Sequence, residues 1–342
     1  MNPNVLYAAL PDLSARIMQQ TLSNELNINW DNFCRDNHLK PLKLDLEARE
    51  LLAQDEFLLQ QGFASLTANH PDLWCKVGMR YRSIKYGPLG LAMMTSRTLA
   101  EALETVSELQ SLTYSIVNYR YVSARNGAGA LIADDSGLPA HLHDFTYHRD
   151  LGAIKTLIGD LVPDEQVIEK VTVAAPPPSN WNEIKSQFPF RVEFDAERTQ
   201  WIFLPGSGSR LLPLGDSELQ DLYTSRCGQM LKKAVAETPL KQRVATLLGT
   251  RRDEMLSAGE VARQLALSER TLHRRLAEEG ARFSTIVDEA CYGRARMLLE
   301  DRRMSIEAIA TAVGFAEPSS FSRAFRRWSG VSALEYRRQL LQ

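Results

Sequence analysis

Two stretches of this chain repeat one design, and that repeat constrains its architecture more than any other feature. SERTLHRRLAEEG (Ser268–Gly280) and PSSFSRAFRRWSG (Pro318–Gly330) each place apolar residue, arginine, apolar residue in steps of two and stop at glycine. Upstream, Val261, Ala262, Leu265 and Leu267 recur 48 positions later as Ile309, Ala310, Val313 and Phe315. Leu272, Arg274 and Leu276 recur 49 positions later as Phe321, Arg323 and Phe325, so the second copy carries one extra residue in its turn. Apolar residues at i, i+1 and i+4, then a short break, then a second periodic face, predict two helices joined by a tight turn.

The punctuation agrees with that reading. Ser257 with Glu260 has the form of a capping box, and Ser268 precedes the second helix where its hydroxyl can hold a free backbone amide. Gly280 is placed to end that helix in a left-handed conformation. In the second copy Ser305 caps, Gly314 turns, Glu317-Pro318 starts the next helix, and Gly330 ends it. FSTIVDEACYGRARMLLED (Phe283–Asp301) carries Ile286, Ala290, Met297 and Leu298 at helical spacing and predicts one helix connecting the copies.

Two short helices with a tight turn, the second exposing arginines, form a helix-turn-helix. Charge supports a nucleic-acid role. From Lys241 to Gln342 there are 18 basic and 13 acidic residues, 17 of the basic ones arginine, although the whole chain is at −2. A basic, arginine-rich segment attached to an acidic one suggests a DNA module joined to something else. Leu272, Leu276, Phe321 and Phe325 face inward on periodicity. The remaining faces offer Arg270, Thr271, His273 and Arg274, then Ser319, Ser320, Ser322 and Arg323, as base-reading candidates. Arg275, Arg326 and Arg327 lie further round and suit phosphate contacts. A single recognition helix spans only a few base pairs. Two on one chain, set roughly 34 Å apart, would read two successive major grooves of double-stranded DNA.

The segment GFAEPSSFSRAFRRWSGVSALEYR (Gly314–Arg338) resembles the C-terminal signature of AraC/XylS-type transcription regulators, over about the last hundred residues. The resemblance implies two helix-turn-helix units joined by a long helix. It places base reading on Arg270, His273 and Arg274, then on Ser319, Ser320 and Arg323, and it implies contact with RNA polymerase; activator is the expected role, with repressor left open. Two positions depart from the pattern. Ala333 stands where the family usually has proline, and Ser332 with a good helix former should preserve the last helix. Pro318 occupies a position where a polar side chain would have touched DNA.

The first two-thirds predicts an α+β domain. Helices are expected over Leu13–Leu26, Leu44–Leu66, from about Ser96 through Leu109, about Asp144–Leu161 and around Trp181–Phe188. Strands are expected in VGMRYRSIKYG (Val77–Gly87), YRYVSA and GALIAD (a hairpin through ARNGAGA), VIEKVTVAA, FRVEFD and TQWIFLP, mostly antiparallel. YGPLGLAMMTSRTLAEAL and FPFRVEFDAERTQWIFLP are similar to the arabinose-binding-like sensor domain of one AraC branch, which includes ornithine-utilisation and virulence regulators. That resemblance implies a domain for an unidentified small-molecule effector and for oligomerisation, with a homodimer among the partners it allows. Arg82, Tyr121 and Trp201 are offered as pocket residues. The boundary is set at ETPLKQ, giving 1–236 for sensing and 237–342 for DNA binding. Ahead of it, SELQDLYTSRCGQMLKKAV (Ser217–Val235) carries one apolar stripe suited to packing within its own domain or to pairing with a second subunit.

Other classes are excluded or set aside. The four cysteines are scattered without a CxxC pair, so they read as small buried hydrophobes in a reducing compartment. GSGSR lacks the Lys-Ser/Thr of a phosphate-binding loop. HLHDFTYH holds three of six histidines but offers no third anchor for a metal, and no cofactor is expected. Apolar runs are too short to cross a membrane, and MNPNVLYAALPDLSARIMQQ has no signal-like pattern, which predicts a cytoplasmic chain. No catalytic constellation is visible, so an enzyme delivered to DNA is disfavoured. A regulator without any ligand, acting through protein partners or abundance, remains the alternative to an effector-controlled one.

Overall fold

The computed structural model describes residues 9–37, 39, 50–123, 129–135, 138–163, 165–249, 256–299, 304–315 and 317–340. The chain divides into two compact units, Met1–Ala236 and Glu237–Gln342.

The first unit opens with strand β1 (Ala9–Pro11), helix α1 (Leu13–Leu26) and helix α2 (Trp30–Asp36). Strand β2 (Glu50–Leu52) pairs antiparallel with β1 and runs into α3 (Ala53–Leu66). The helix expected over 44–66 therefore begins only at Ala53. Leu51 is instead buried against β1, where strand pairing outweighs its local helix preference. The earlier part of that expectation, residues 44–49, lies outside the described residues.

Helix α4 (Asp72–Gly78) corrects the strand expected over Val77–Gly87, and a short 3-10 turn (Ser83–Tyr86) follows it. The alternation of Val77, Met79 and Tyr81 suggested a strand, but Gly78 has a different task. A methyl group at Gly78 would sit 1.9 Å from the Arg149 carbonyl oxygen, and one at Gly152 would sit 2.3 Å from that of Cys75. Two glycines without side chains let α4 cross the long helix of this unit at near-backbone distance, and the tertiary contact decides the local structure.

Helix α5 (Pro88–Thr95) starts on Pro88 and was not foreseen; α6 (Leu99–Glu108) follows, with Thr98 accepting from the Glu101 amide at its N-cap. Strands β3 (Asn118–Ser123) and β4 (Gly129–Asp134) form the expected antiparallel hairpin, while residues 124–128 of its turn lie outside the described residues. Helix α7 (His143–Leu161) leads to β5 (Ile168–Thr172), short α8 (Trp181–Ile184), β6 (Arg191–Glu193) and β7 (Gln200–Phe203). The sheet order is β3-β4-β7-β5-β6, antiparallel except for the parallel β5–β6 pair. Its register aligns Tyr121, Leu131, Trp201 and Val171 in one row. All four are buried, so alternate positions of each strand build a single core face. The last helix, α9 (Ser217–Glu237), buries Cys227, Met230 and Leu231 on that core but leaves Leu219 and Leu222 exposed.

The second unit is all helical in its described residues: α10 (Leu240–Gly249), α11 (Ala258–Gln264), α12 (Glu269–Glu278), α13 (Phe283–Leu299), α14 (Ile306–Ala312), α15 (Pro318–Ser329) and α16 (Ala333–Leu340). It has two cores. One joins α10, α11, α12 and Ile286. The other joins Cys291, Ala295 and Leu299 to α14, α15 and α16. Helix α13 threads both, with Val287 packed against each. Its 17 residues span about 25 Å, so the two cores share one rigid rod. The Met297 side chain lies outside the described residues.

Candidate nucleic-acid interface

The two helix-turn-helix cores are built by matching bonds. The Leu267 amide donates to the Ala262 carbonyl at 2.8 Å, and the Phe315 amide donates to the Ala310 carbonyl at 2.9 Å, the same closure 48 residues apart. Each closure requires one residue with positive φ. In the second copy this is Gly314 at +97°, and in the first it is Ala266 at +54°. Sequence reading had no signal for the latter, because alanine does not mark a left-handed position.

The caps stand as read. Ser257 and Glu260 form the reciprocal capping box, Ser268 accepts from the Thr271 amide at 3.1 Å, and Ser305 accepts from the Ala308 amide at 3.1 Å. Glu317-Pro318 opens α15, and Gly330 closes it at φ +80°. Ser332 accepts from the Glu335 amide at 3.2 Å, so α16 starts on Ala333 without the proline. Glu307, in the first turn of α14, is held below the usual carboxylate range by its own backbone amide and by Ser305.

Two bracing contacts were not foreseen. The carboxylate of Glu279 accepts from the amides of Leu240 and Lys241, both at 2.7 Å, and so caps the start of α10 from the end of α12. Arg337 donates to the carbonyls of Leu299 and Met304 at 3.1 and 2.9 Å, which ties α16 to the end of α13. Both are long-range, so no local pattern announced them.

Leu272, Leu276, Phe321 and Phe325 are fully buried, which fixes the rotation of α12 and α15. Arg270, His273, Arg274, Ser319, Ser322 and Arg323 then lie on exposed faces, with Thr271 and Ser320 half-buried beside them. Their present partners are local. Arg274 pairs with Glu278 at 2.5 Å and His273 approaches Glu269 at 3.8 Å, both one turn along the helix. The Thr271 and Ser268 hydroxyls share a bond at 2.7 Å, Ser322 donates to the Pro318 carbonyl at 3.0 Å, and Arg323 donates to Ser320 at 3.2 Å. Exposed pairs of this kind exchange readily, because solvent screens them to a fraction of a kcal/mol. The side chains of Arg270, Arg275 and Arg326 have no hydrogen-bond partner among the described residues. Arg327 differs: it donates to both oxygens of Asp288 on α13, at 3.0 and 2.9 Å, which fastens α15 to the connecting helix.

All four cysteines are buried and free of disulfides. Burial pushes Cys75 up to about 12 and both Cys227 and Cys291 up to about 11. The histidines of the 141–148 stretch each meet a different partner. His141 meets Gln61 at 3.3 Å, His143 meets the Leu138 carbonyl at 3.3 Å, and His148 meets the Pro176 carbonyl at 2.8 Å.

In the first unit α6, α7 and the sheet line a cavity that opens to solvent. About 80 Å³ of it admits the centre of a water molecule, and about 740 Å³ is free once its opening to solvent is counted. Arg82, Tyr121 and Trp201 are not part of its wall. Arg82 is exposed and pairs with Asp160 at 2.5 Å, Tyr121 stacks edge-on with Phe203, and Trp201 packs against Phe190 in the core. The wall comes instead from residues that periodicity marks only as core, such as Tyr86, Met93, Leu103 and Leu157, together with the buried pair Arg149 and Asp150.

Residues 28–205 match the arabinose-binding N-terminal domain of AraC transcription regulators, and residues 261–339 match a helix-turn-helix domain. An HTH-type transcriptional regulator of Mycobacterium tuberculosis is 25% identical over 336 residues, 96% of each chain. The ornithine utilization regulator of Pseudomonas aeruginosa is 24% identical over 286 residues, 80% of each chain. A crystal structure of the transcriptional regulator CdpR from Pseudomonas aeruginosa aligns over 96% of this chain and 98% of its own, at 23% identity and TM-score 0.44. With a matching sensor domain over half its length and a double helix-turn-helix behind it, this chain belongs to the AraC family of transcription regulators.

Proposed function

We propose that this regulator reads two successive major grooves of double-stranded DNA with α12 and α15, and that a small molecule bound in the first unit controls that reading. The observation that carries the DNA assignment is the pair of matched cores on one helix. Each buries the two inward apolar residues of its second helix completely and leaves an arginine-containing face with only local, solvent-screened partners. Arg270, Thr271, His273, Arg274, Ser319, Ser320, Ser322 and Arg323 are the base-reading set. Arg275 and Arg326 are the phosphate-contacting residues, and Arg327 joins them by exchanging Asp288 for phosphate.

Control by an effector rests on this cavity and on the resemblance of residues 28–205 to an arabinose-binding domain. To act as a switch, the effector must bind the two functional states with different affinity. Homodimerisation is supported by exposed Leu214, Leu219 and Leu222, the last two in the first half of α9. Contact with RNA polymerase and action as an activator are carried over from the family resemblance, and a cytoplasmic location is supported by the scattered cysteines, which suit a reducing compartment.

The test is selection of binding sites from a random duplex pool with the full-length protein, followed by sequencing. An enriched motif with two contact blocks about one helical turn apart supports the two-groove reading. If neither the full chain nor Lys241–Gln342 enriches a motif, the reading fails.

A further inference from the structure

The cavity of the first unit has a chemical character that narrows what it can hold. Its one charged pair is already satisfied. Arg149, fully buried, donates from Nε and Nη2 to Asp150 Oδ1 at 2.8 and 2.7 Å, and from Nη1 to Gln60. The other oxygen of Asp150 accepts from Ser115 at 2.7 Å and from the Tyr119 hydroxyl at 3.1 Å. Arg149 also lies over the ring of Phe145, 5.4 Å from its centroid. A charged ligand would lose its hydration in this space and find no counter-charge free to replace it.

What is left at the wall is apolar surface and two hydrogen-bonding groups. Gln110 accepts from the Tyr119 amide at 2.8 Å through its oxygen, which leaves its amino group without a partner among the described residues. The Tyr86 hydroxyl likewise has no partner among the described residues. Burial keeps it a neutral phenol, well above its usual pKa, and therefore a donor. Size sets a further limit. The space open to water centres, about 80 Å³, is roughly half of the ~150 Å³ that takes one benzene ring, so a ligand here has at most a single small ring and must use the open side of the cavity.

We propose that the cavity binds an uncharged, mostly apolar molecule of about that size, with one hydrogen-bond acceptor received by Tyr86 or Gln110. This rests on the effector reading above and specifies its chemistry: a small aromatic or aliphatic alcohol, phenol, ester or ketone, and neither a sugar nor an amino acid.

The test compares benzyl alcohol, benzylamine and benzoate, which share one ring and differ in charge, with L-arabinose and L-ornithine as polar probes. Binding to the full chain is read by calorimetry and by thermal shift. Benzyl alcohol should bind at least tenfold more tightly than either charged analogue, and arabinose and ornithine should not bind. Tyr86→Phe should weaken benzyl alcohol about three- to tenfold and leave toluene unchanged, because only the alcohol uses the hydroxyl. Ile154→Trp, which fills the cavity, should abolish binding; Leu157→Phe, a smaller insertion in the same wall, serves if the first variant does not fold. Equal affinity for the charged analogues, or full benzyl alcohol binding by a folded cavity-filled variant, overturns the proposal. DNA affinity measured with and without each probe separates the two levels. If ornithine or arabinose changes DNA affinity while the neutral probes do not bind, the ligand class is wrong and effector control stands. If the neutral probes bind as described, and neither they nor the polar probes change DNA affinity, the cavity chemistry stands and effector control by it fails.

Discussion

Replacing Glu56 by glutamine should make the first unit more resistant to unfolding at alkaline pH, with little effect under mildly acidic conditions. Glu56 lies on α3, 3% exposed, and burial raises its pKa from 4.5 to about 7. Ser14, the Gln60 amide at 2.6 Å and the charge of Arg149 offset only part of the desolvation, and the second carboxylate oxygen has no partner among the described residues. The sign follows from linkage. Below about pH 4.5 the carboxyl is protonated in folded and unfolded chains alike, and the group contributes no penalty. Between 4.5 and 7 the unfolded chain ionises first, so stability falls as pH rises; above 7 both states are charged and the loss is complete. A shift of this size is worth about 3 kcal/mol in full, of which about 2–3 kcal/mol develops between pH 5 and 8. Glutamine cannot ionise and removes that slope. Urea unfolding followed by tryptophan fluorescence reports mainly on this unit, because Trp30, Trp74, Trp181 and Trp201 lie in it and only Trp328 in the other. The variant should gain about 2–3 kcal/mol on the wild type between pH 5 and pH 8. Parallel pH dependence in the two proteins would falsify the assignment of a buried, destabilising carboxylate.

The other predictions concern the second unit and the helix crossing. Arg274→Ala and Arg323→Ala should each weaken specific DNA binding by about 1–3 kcal/mol and relax preference at single base positions; equal losses on random DNA would remove them from the base-reading set. Arg326→Ala should weaken binding to all sequences and lower the salt slope by about 1, so an unchanged slope argues against a phosphate role. Arg327 and Asp288 are both partly exposed, and a double-mutant cycle should find a coupling below about 1 kcal/mol for folding, with any larger value pointing to a structural clamp. Ala266→Gly should raise the melting temperature of the isolated Lys241–Gln342 fragment by a few degrees. It relieves about 1–2 kcal/mol of left-handed strain against a smaller entropic cost, and a lower melting temperature would contradict that balance. Gly78→Ala should destabilise the first unit by more than about 3 kcal/mol, since its methyl would meet a backbone carbonyl at 1.9 Å. Wild-type stability would show that α4 and α7 separate easily.

The sequence by itself determined the second unit almost entirely. Its signals are local and repeated: serine caps, glycine stops and a 3.6-residue apolar period that leaves one rotation for α12 and α15. Once Leu272, Leu276, Phe321 and Phe325 are buried, the arginine faces have nowhere else to point. The hairpin of β3 and β4 and the long α7 were legible for the same reason, since alternation and length are properties of short windows. Tertiary structure decided what depends on partners distant in the chain. It turned Val77 and Gly78 into the end of a helix because two glycines admit α7, and it drew Leu51 into a strand beside β1. It showed that Ala266 bears the strained turn that glycine bears in the second copy, and that Glu279 and Arg337 brace the two cores. The cavity was the least legible feature. Tyr86 lay within the expected strand Val77–Gly87 and Gln110 carried no signal, and the charges of Arg149 and Asp150 cancel only because α7 buries them together. A cavity is space that several elements fail to fill, and no single window of sequence encodes it.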